Sequence, residues 1–350
     1  MATLLESAQI NKREDLSDLI SIADASATVF STMIPKGAEL GNRKFEWQVD
    51  AYEAATTASV VDGADVDVAV ASTDTVSPRL NAARIGNHGH YWRRAFRVSP
   101  LAAEANAAGY KSEIANGLAK KTIEIKRDIE KTLLGTQCAV AGATSTASET
   151  RGMGMWTSTI VTSGGTAHGA TTFGTNDATY ASWTGTPAPF LVPAGSRTTT
   201  ATGSMTDTTV QDILASIFTK TGAPQGFDLI AGTTLRRAFT NLVVNATTVV
   251  SSVLGARTHS NYEQEGTTFK STIDVFQGDF GTVRVHSSNF MPTVFCGYVV
   301  PMDTVQLRYG FMPRVKNLTD NGGGEGRLIE AFAGLVVKNP LNLGRFGATS

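Results

Sequence analysis

Cysteine is nearly absent from this 350-residue chain, which has only Cys138 and Cys296. Two thiols so far apart make neither a zinc motif nor the disulfide framework of a secreted domain, and free thiols in a reducing compartment are the expectation. Charge is scarce as well. Only 17% of residues are charged, and 30 cations nearly cancel 31 anions, so no overall basic field points to a nucleic-acid binder. No apolar run reaches the ~18 residues of a membrane span. The opening stretch MATLLESAQINKREDL lacks the basic-then-apolar order of a signal peptide. The sequons at Asn245 and Asn317 are therefore expected to meet no glycosylation machinery. These absences together imply a soluble protein made in a cytoplasm, without a membrane partner.

Catalytic patterns are missing too. There is no G-x-S-x-G elbow, no H-E-x-x-H and no Gly-Lys-Ser/Thr phosphate loop, and no pairing of nucleophile with base suggests itself. GGGEG (Gly322–Gly326) is followed by an extended segment, not by the helix a nucleotide fingerprint needs. TKTG at Thr219–Gly222 lies at a helix end, whereas phosphates favour the start. His88 and His90 share one strand face like a metal pair, but no carboxylate cluster or cysteine is spaced to complete a site. The expectation is a protein that is not an enzyme and carries no cofactor.

What the chain does have begins with one long helical stretch. From Pro100 to Leu134, Tyr110, Ile114, Leu118, Thr122, Ile125, Ile129 and Leu133 recur every three or four residues, giving one mostly apolar stripe. Ser99 suits the N-cap, Pro100 the first turn and Gly135 the end. A single helix of that length spans roughly 50 Å. Lys111, Glu113, Lys120, Lys121, Glu124, Lys126, Arg127, Asp128, Glu130 and Lys131 fall on its other faces. Gly109 and Gly117 interrupt it at about 1 kcal/mol each relative to alanine, which marks them as bends or close-packing points.

Ahead of this helix lies an apolar arm, residues 1 to about 40, with a capping signature at Asn11/Glu14 and a break at Pro35 and Gly37. Phe45, Trp47 and Val49 then alternate as a strand. From Glu46 to Pro78 there are seven acidic residues, Asp62, Asp65 and Asp67 among them, and no Lys or Arg. The sign then reverses with Arg79, Arg84, Arg93, Arg94 and Arg97, interleaved with Trp92, Phe96 and Val98. An acidic strand paired with a basic one would fit, either within the chain or across two copies. The basic run reads as a half-buried strand with a charged outer face, or else as a direct DNA contact.

Behind the helix, residues 138–205 form a Thr/Gly/Ser-rich insertion punctuated by aromatics, read as a loop-rich β insertion. Val210, Ile213, Leu214, Ile217 and Phe218 then match the helical template in full, capped by Thr206 or Asp207 and closed by Gly222. A strand (FDLIAG), a second helix from Thr233, a hairpin about GDFG and a core strand VFCGYVV follow. Two further strands, carrying Val305–Tyr309 and Arg327–Val337, are joined by a glycine turn. A short polar tail is expected after Pro340. The class is α+β.

The order of these parts resembles the major capsid protein of tailed bacteriophages, the Hong Kong 97-type fold. The residues that carry the resemblance are KREDLSDLISIADASATVFSTMIPKG at Lys12–Gly37, FEWQVD at Phe45–Asp50 and the helix from Gly109. RGMGMW at Arg151–Trp156, FQGDFGTVRVHSSNFMP at Phe276–Pro292 and EAFAGLVVKNPLNLGRF at Glu330–Phe346 carry it further. The resemblance implies an N-terminal arm at 1–40 and an extended β loop at 41–97. It implies a peripheral domain at 98–137 and 301–350, whose spine is the long helix, and an axial domain at 138–300. It also implies hexamers and pentamers of the chain tiling an icosahedral shell around double-stranded DNA, held without sequence-specific binding. The implied partners are the chain itself, a portal, a separate scaffolding protein and a decoration protein, with assembly in a bacterial cytoplasm and residence in the virion.

On that reading the candidate inter-subunit contacts are Asp62, Asp65, Asp67, Arg84, Arg93, Arg94 and Arg97. Some relatives cross-link a loop lysine to an asparagine; the lysine-free stretch 46–78 implies non-covalent stabilisation instead. Three readings compete: an encapsulin-type shell of the same fold, a β-rich adhesin and a DNA-binding module.

Overall fold

The computed structural model describes residues 27–50, 52, 55, 57, 59, 61–63, 83–104, 112–157, 192–198, 206–222, 225–244, 264–265, 268–269, 275–292, 295–320 and 322–347. Its helices are α1 (Val29–Met33), α2 (Pro100–Glu104), α3 (Glu113–Leu134), α4 (Met153–Trp156), α5 (Asp207–Thr221) and α6 (Thr233–Val244). Its strands begin with β1 (Lys44–Val49), β2 (Ala83–His88), β3 (His90–Val98), β4 (Arg197–Thr198), β5 (Gln225–Ala231), β6 (Gln264–Glu265) and β7 (Thr268–Phe269). They continue as β8 (Val275–Gly278), β9 (Gly281–Ser287), β10 (Phe295–Val300), β11 (Val305–Leu318), β12 (Glu325–Val337) and β13 (Gly344–Gly347). The asparagine signature near residue 11, Gly109, and residues 158–191 of the insertion lie outside the described residues.

Two sheets organise the molecule. The larger has six strands in the order β4-β13-β10-β5-β9-β8. Here the apolar spacing read from the sequence is realised: Val210, Ile213, Leu214 and Ile217 of α5 are buried with Phe227 and Leu229 of β5 and Leu235 and Phe239 of α6. A capping box between Thr206 and Thr209 opens α5, and Gly222 closes it at φ 73°, a left-handed position that suits glycine. The hairpin about GDFG forms as expected, with β8 antiparallel to β9. One segment departs from expectation. Residues 344–347 are not a polar tail but a buried strand, β13, paired antiparallel with β10 and parallel with β4. Phe346 supplies the reason, since it packs among the buried residues of this core and meets the Phe239 ring edge-on at 5.7 Å.

The smaller sheet has three strands, β11-β12-β3, and α3 lies across it. Ile125, Ile129 and Leu133 of α3 share one core with Ile329, Ala331, Ala333 and Leu335 of β12, as the apolar stripe implied. The continuous helix from Pro100 to Leu134 does not form. Ser112 adopts an extended conformation and its hydroxyl accepts from the Ala115 N–H, so α3 starts afresh at Glu113. Serine at an N-cap competes with helix continuation, and the preceding AEANAAG offers little apolar surface to resist the break. Gly117 is a close-packing point: a Cβ there would lie 2.6 Å from the Phe96 ring of β3.

Two buried polar groups stitch distant segments to this core. Asn87, at the end of β2, donates to the Thr150 hydroxyl and the Leu335 carbonyl and accepts from the Arg151 and His88 N–H groups. That uses the whole bonding capacity of the amide and fastens the RGMGMW stretch to β2 and β12. Glu130, assigned to the charged face by spacing, is instead fully buried. Its carboxylate accepts from the N–H groups of Phe30 and Ser31 at 2.8 and 2.7 Å. Helix α1 has no side-chain cap of its own, so a residue a hundred positions away caps it, with the helix dipole adding to the attraction. The chain then leaves α1 at Pro35 and runs along β11, with Leu307 N–H donating to the Pro35 carbonyl and Gly37 N–H to the Leu307 carbonyl.

Candidate assembly surface

Strand alternation gives β3 two unlike faces. Trp92, Arg94 and Phe96 point to α3: the Trp92 indole N–H donates to the Thr132 hydroxyl at 3.0 Å, and Phe96 packs over Gly117. Tyr91, Arg93 and Arg97 point the other way, and this outer face is where charge gathers. The ladder aligns Arg93 with Glu330 of β12, and Glu330 in turn with Arg314 of β11; Lys316 sits opposite Leu328.

Glu330 is 3% exposed, although it sits on a solvent-facing sheet. Its carboxylate accepts from Lys316 at 2.6 Å, from Arg314 at 2.8 Å and from the Tyr91 hydroxyl at 2.7 Å. These partners, Lys316 first and Tyr91 next, hold its pKa down at about 2. The same hydrogen bond raises the Tyr91 pKa. Arg314 also lies over the Phe311 ring at 4.1 Å, a favourable cation–π contact. This part of the outer face therefore gathers Arg93, Arg97, Arg314 and Lys316 around the carboxylate of Glu330.

The residues singled out in the sequence scatter about this surface. Arg93 and Arg97 belong to it, and Arg97 donates to the Thr319 carbonyl at 3.4 Å. Arg94 faces inward and makes a two-pronged pair with Asp128 of α3 at 2.6 and 2.7 Å. Such a half-exposed pair is worth less than about 1 kcal/mol. Arg84 lies on β2 opposite Gln48 of β1. Asp62 is exposed in a turn, and Asp65 and Asp67 lie outside the described residues. Among the described residues, β3 pairs with the C-terminal strand β12, while β2, which carries Arg84 at the start of the basic run, pairs with β1, the first strand of the acidic stretch. The burial pattern of β3 is that of a half-buried strand with a charged outer face.

Sequence reasoning missed Arg314, Lys316, Tyr91 and Glu330. A signal was there: a lone acid in the apolar run LIEAFAGLVV needs cations nearby, because burying an unpaired carboxylate is costly.

Among the described residues no three metal-ligating side chains come together. His90 stacks against Trp92 at 4.5 Å, and burial lowers its pKa to about 4. An open groove of about 1080 Å³ runs between α3 and the Asn289–Pro292 loop, lined by Arg94, Glu124, Arg127, Asp128 and Lys131. Its mixed charges favour no one ligand sign.

The sheet face that carries these cations thus lies beside a two-stranded ladder and the long helix α3. The SU10 major capsid protein family matches residues 3–350. The chain belongs to that family. It is a phage major capsid protein, a structural class and not an enzyme class, so its place is the virion. No curated protein matches the sequence.

Solved structures share the fold. A capsid chain of the cyanophage P-SCSP1u is similar with TM-score 0.56 at 11% identity, covering 99% of this chain and 96% of that one. A chain of Mycobacterium phage Cain gives 0.55 at 12%, with 99% of both covered. A capsid chain of a native GTA particle gives 0.54 at 12%, with 99% and 97% covered. The mixed helix–strand architecture is therefore that of phage capsid proteins.

Proposed function

We propose that this family member is the repeating tile of an icosahedral shell, assembling as hexamers and pentamers of the Hong Kong 97 type around double-stranded DNA. The observation that carries the proposal is the surplus of cations on the outer face of the β11-β12-β3 sheet, in a chain that holds an acidic stretch without Lys or Arg at 46–78. Charges unbalanced on separate surfaces of one subunit balance when copies meet, through contacts that are weak singly and many in a shell.

In this reading the arm to about residue 40 and the loop at 41–97 extend over neighbours. The spine helix with β11 and β12 forms the peripheral domain, and the six-stranded unit forms the axial domain. Asp62, Asp65 and Asp67 of one copy face the arginine-bearing surface of another, Arg93 and Arg97 foremost; Arg84 stands near the base of the loop. Arg94 is held by Asp128 within its own subunit and contributes least. A portal, a scaffolding protein and a decoration protein complete the assembly, which proceeds in the host cytoplasm.

Expression alone and with the neighbouring genes, followed by negative-stain microscopy, tests the proposal. Closed particles or capsomers of five- and six-fold symmetry are expected. Monomers under every condition would overturn it.

A further inference from the structure

Helix α3 carries acids and bases in mixed order, but the fold uses them unequally. Each of its acids has a task within the subunit. Glu113 sits in the first turn, where the helix dipole favours a carboxylate. Both oxygens of Glu124 accept from Lys121, at 2.9 and 2.8 Å, and both oxygens of Asp128 accept from Arg94. Glu130 is buried against α1. The lysines fare otherwise. Lys120, Lys126 and Lys131 are exposed and make no ion pair among the described residues. Arg127, half-buried over the Phe290 ring at 5.7 Å, lies between them.

At about 3.6 residues per turn, Lys120, Arg127 and Lys131 fall on one line of α3, half a turn from Ile129, which lies in the core with β12. Glu124 stands near the same line with its charge met by Lys121, and Lys126 stands on the flank. The row therefore points away from the three-stranded sheet, on the side of the unit opposite the Glu330 cluster. Arg127 and Lys131 are four residues apart, a spacing at which like charges destabilise a helix. Water leaves that repulsion standing, whereas a polyanion laid along the row turns it into attraction.

We propose that the exposed row of Lys120, Arg127 and Lys131 on α3 is a contact for the phosphate backbone of the enclosed DNA. The row spans about 16 Å along the helix axis, a length over which duplex DNA presents roughly ten phosphates. Phosphates thus outnumber cations and any register serves, so the contact is independent of sequence. Lysine suits this role, because its ammonium is a point charge on a flexible stem without the planar fork that reads a base edge. So few cations per subunit make each contact weak and salt-dependent, and repetition over a shell sums them. The proposal rests on the capsid reading and assigns the two sides of the three-stranded unit, the sheet face to other copies and α3 to DNA.

Lysine acetylation of wild-type particles tests it, comparing DNA-filled particles, empty particles and free subunits. Lys120 and Lys131 are expected to react at least about threefold more slowly in filled than in empty particles, as phosphates engage their ammonium groups, while Lys316 on the opposite face reacts alike in both. Lys120→Gln with Lys131→Gln, both at exposed positions, should leave the melting of empty particles unchanged and lower the temperature at which filled ones release DNA. Equal reactivity of both lysines in filled and empty particles would overturn the contact and leave the capsid reading standing. So would protection already complete in empty particles relative to free subunits, since another chain would then cover the row. Failure of the wild-type chain to form particles would remove both readings.

Discussion

The core of the six-stranded unit and the core beneath the three-stranded sheet are assembled in opposite ways. The first draws on neighbouring elements: α5, β5, α6, β9 and β10 follow one another between residues 207 and 300, and only β13 returns from afar. The second gathers Phe30, Ile85, Trp92, Ile125, Met153 and Ile329 from almost the whole chain. The first sheet also hides its edges behind short strands, while the second ends in a long, cation-bearing edge. Local burial makes a unit that holds itself together. Long-range burial makes one that depends on its pins, Asn87 and Glu130. The contrast suits a subunit in which one part serves as body and the other as connector.

Breaking the compact side should cost most. Phe227→Ala in β5 removes a ring 2% exposed among α5 and α6, with an expected loss of about 3–5 kcal/mol, read as a lowered midpoint in denaturant. A loss below about 1 kcal/mol would show that this core is not close-packed. Next comes the pin. Glu130→Ala strands two amide donors of α1 in the interior and should cost about 3 kcal/mol. Amide exchange at Phe30 and Ser31 should quicken while that of β5 stays as before. Equal quickening in both regions would erase the distinction drawn between them.

Acid should also act on the connector first. His90 is kept neutral by burial, with its pKa lowered to about 4, so the folded state resists a proton that the unfolded chain accepts near 6.5. Stability is full above that value and declines as pH falls from about 6.5 towards 4. Glu330, held at about 2, adds stability that is present above its ordinary value near 4.5 and fades as pH falls towards 2. His90→Phe should flatten the upper part of this decline in a pH series of melting temperatures; an unchanged profile would count against the assignment. The smallest effect is expected at Gly117→Ala, where crowding against Phe96 costs about 1–3 kcal/mol and helix propensity returns up to about 1. A net stabilisation would mean that Phe96 moves aside freely.

Legibility in the sequence followed the same division. The helix Asp207–Thr221, the strand after it and the GDFG hairpin could be read because each expresses its burial in a local period. β13 was missed because Gly344–Gly347 has no period of its own and becomes a strand only between β10 and β4. The helix break at Ser112 was missed because apolar spacing continues through it and the cap is a single hydroxyl. Glu130 looked like a surface charge because its partners, Phe30 N–H and Ser31 N–H, lie a hundred residues away. At the candidate surface, Arg93 and Arg97 stood out as part of a basic run. Arg314 and Lys316 did not, because only the β11–β12 register places them on Glu330.

The central claim is the proposal that the cation-bearing face of the β11-β12-β3 sheet is covered by other copies once the shell forms. Hydrogen exchange on free subunits and on assembled particles measures this directly, by comparing the amides of residues 314–318 with those of β5. The account predicts that exchange at 314–318 slows at least about tenfold on assembly, as neighbouring copies cover this surface, while β5 is protected equally in both states. Exchange at 314–318 that is as fast in particles as in free subunits would contradict it.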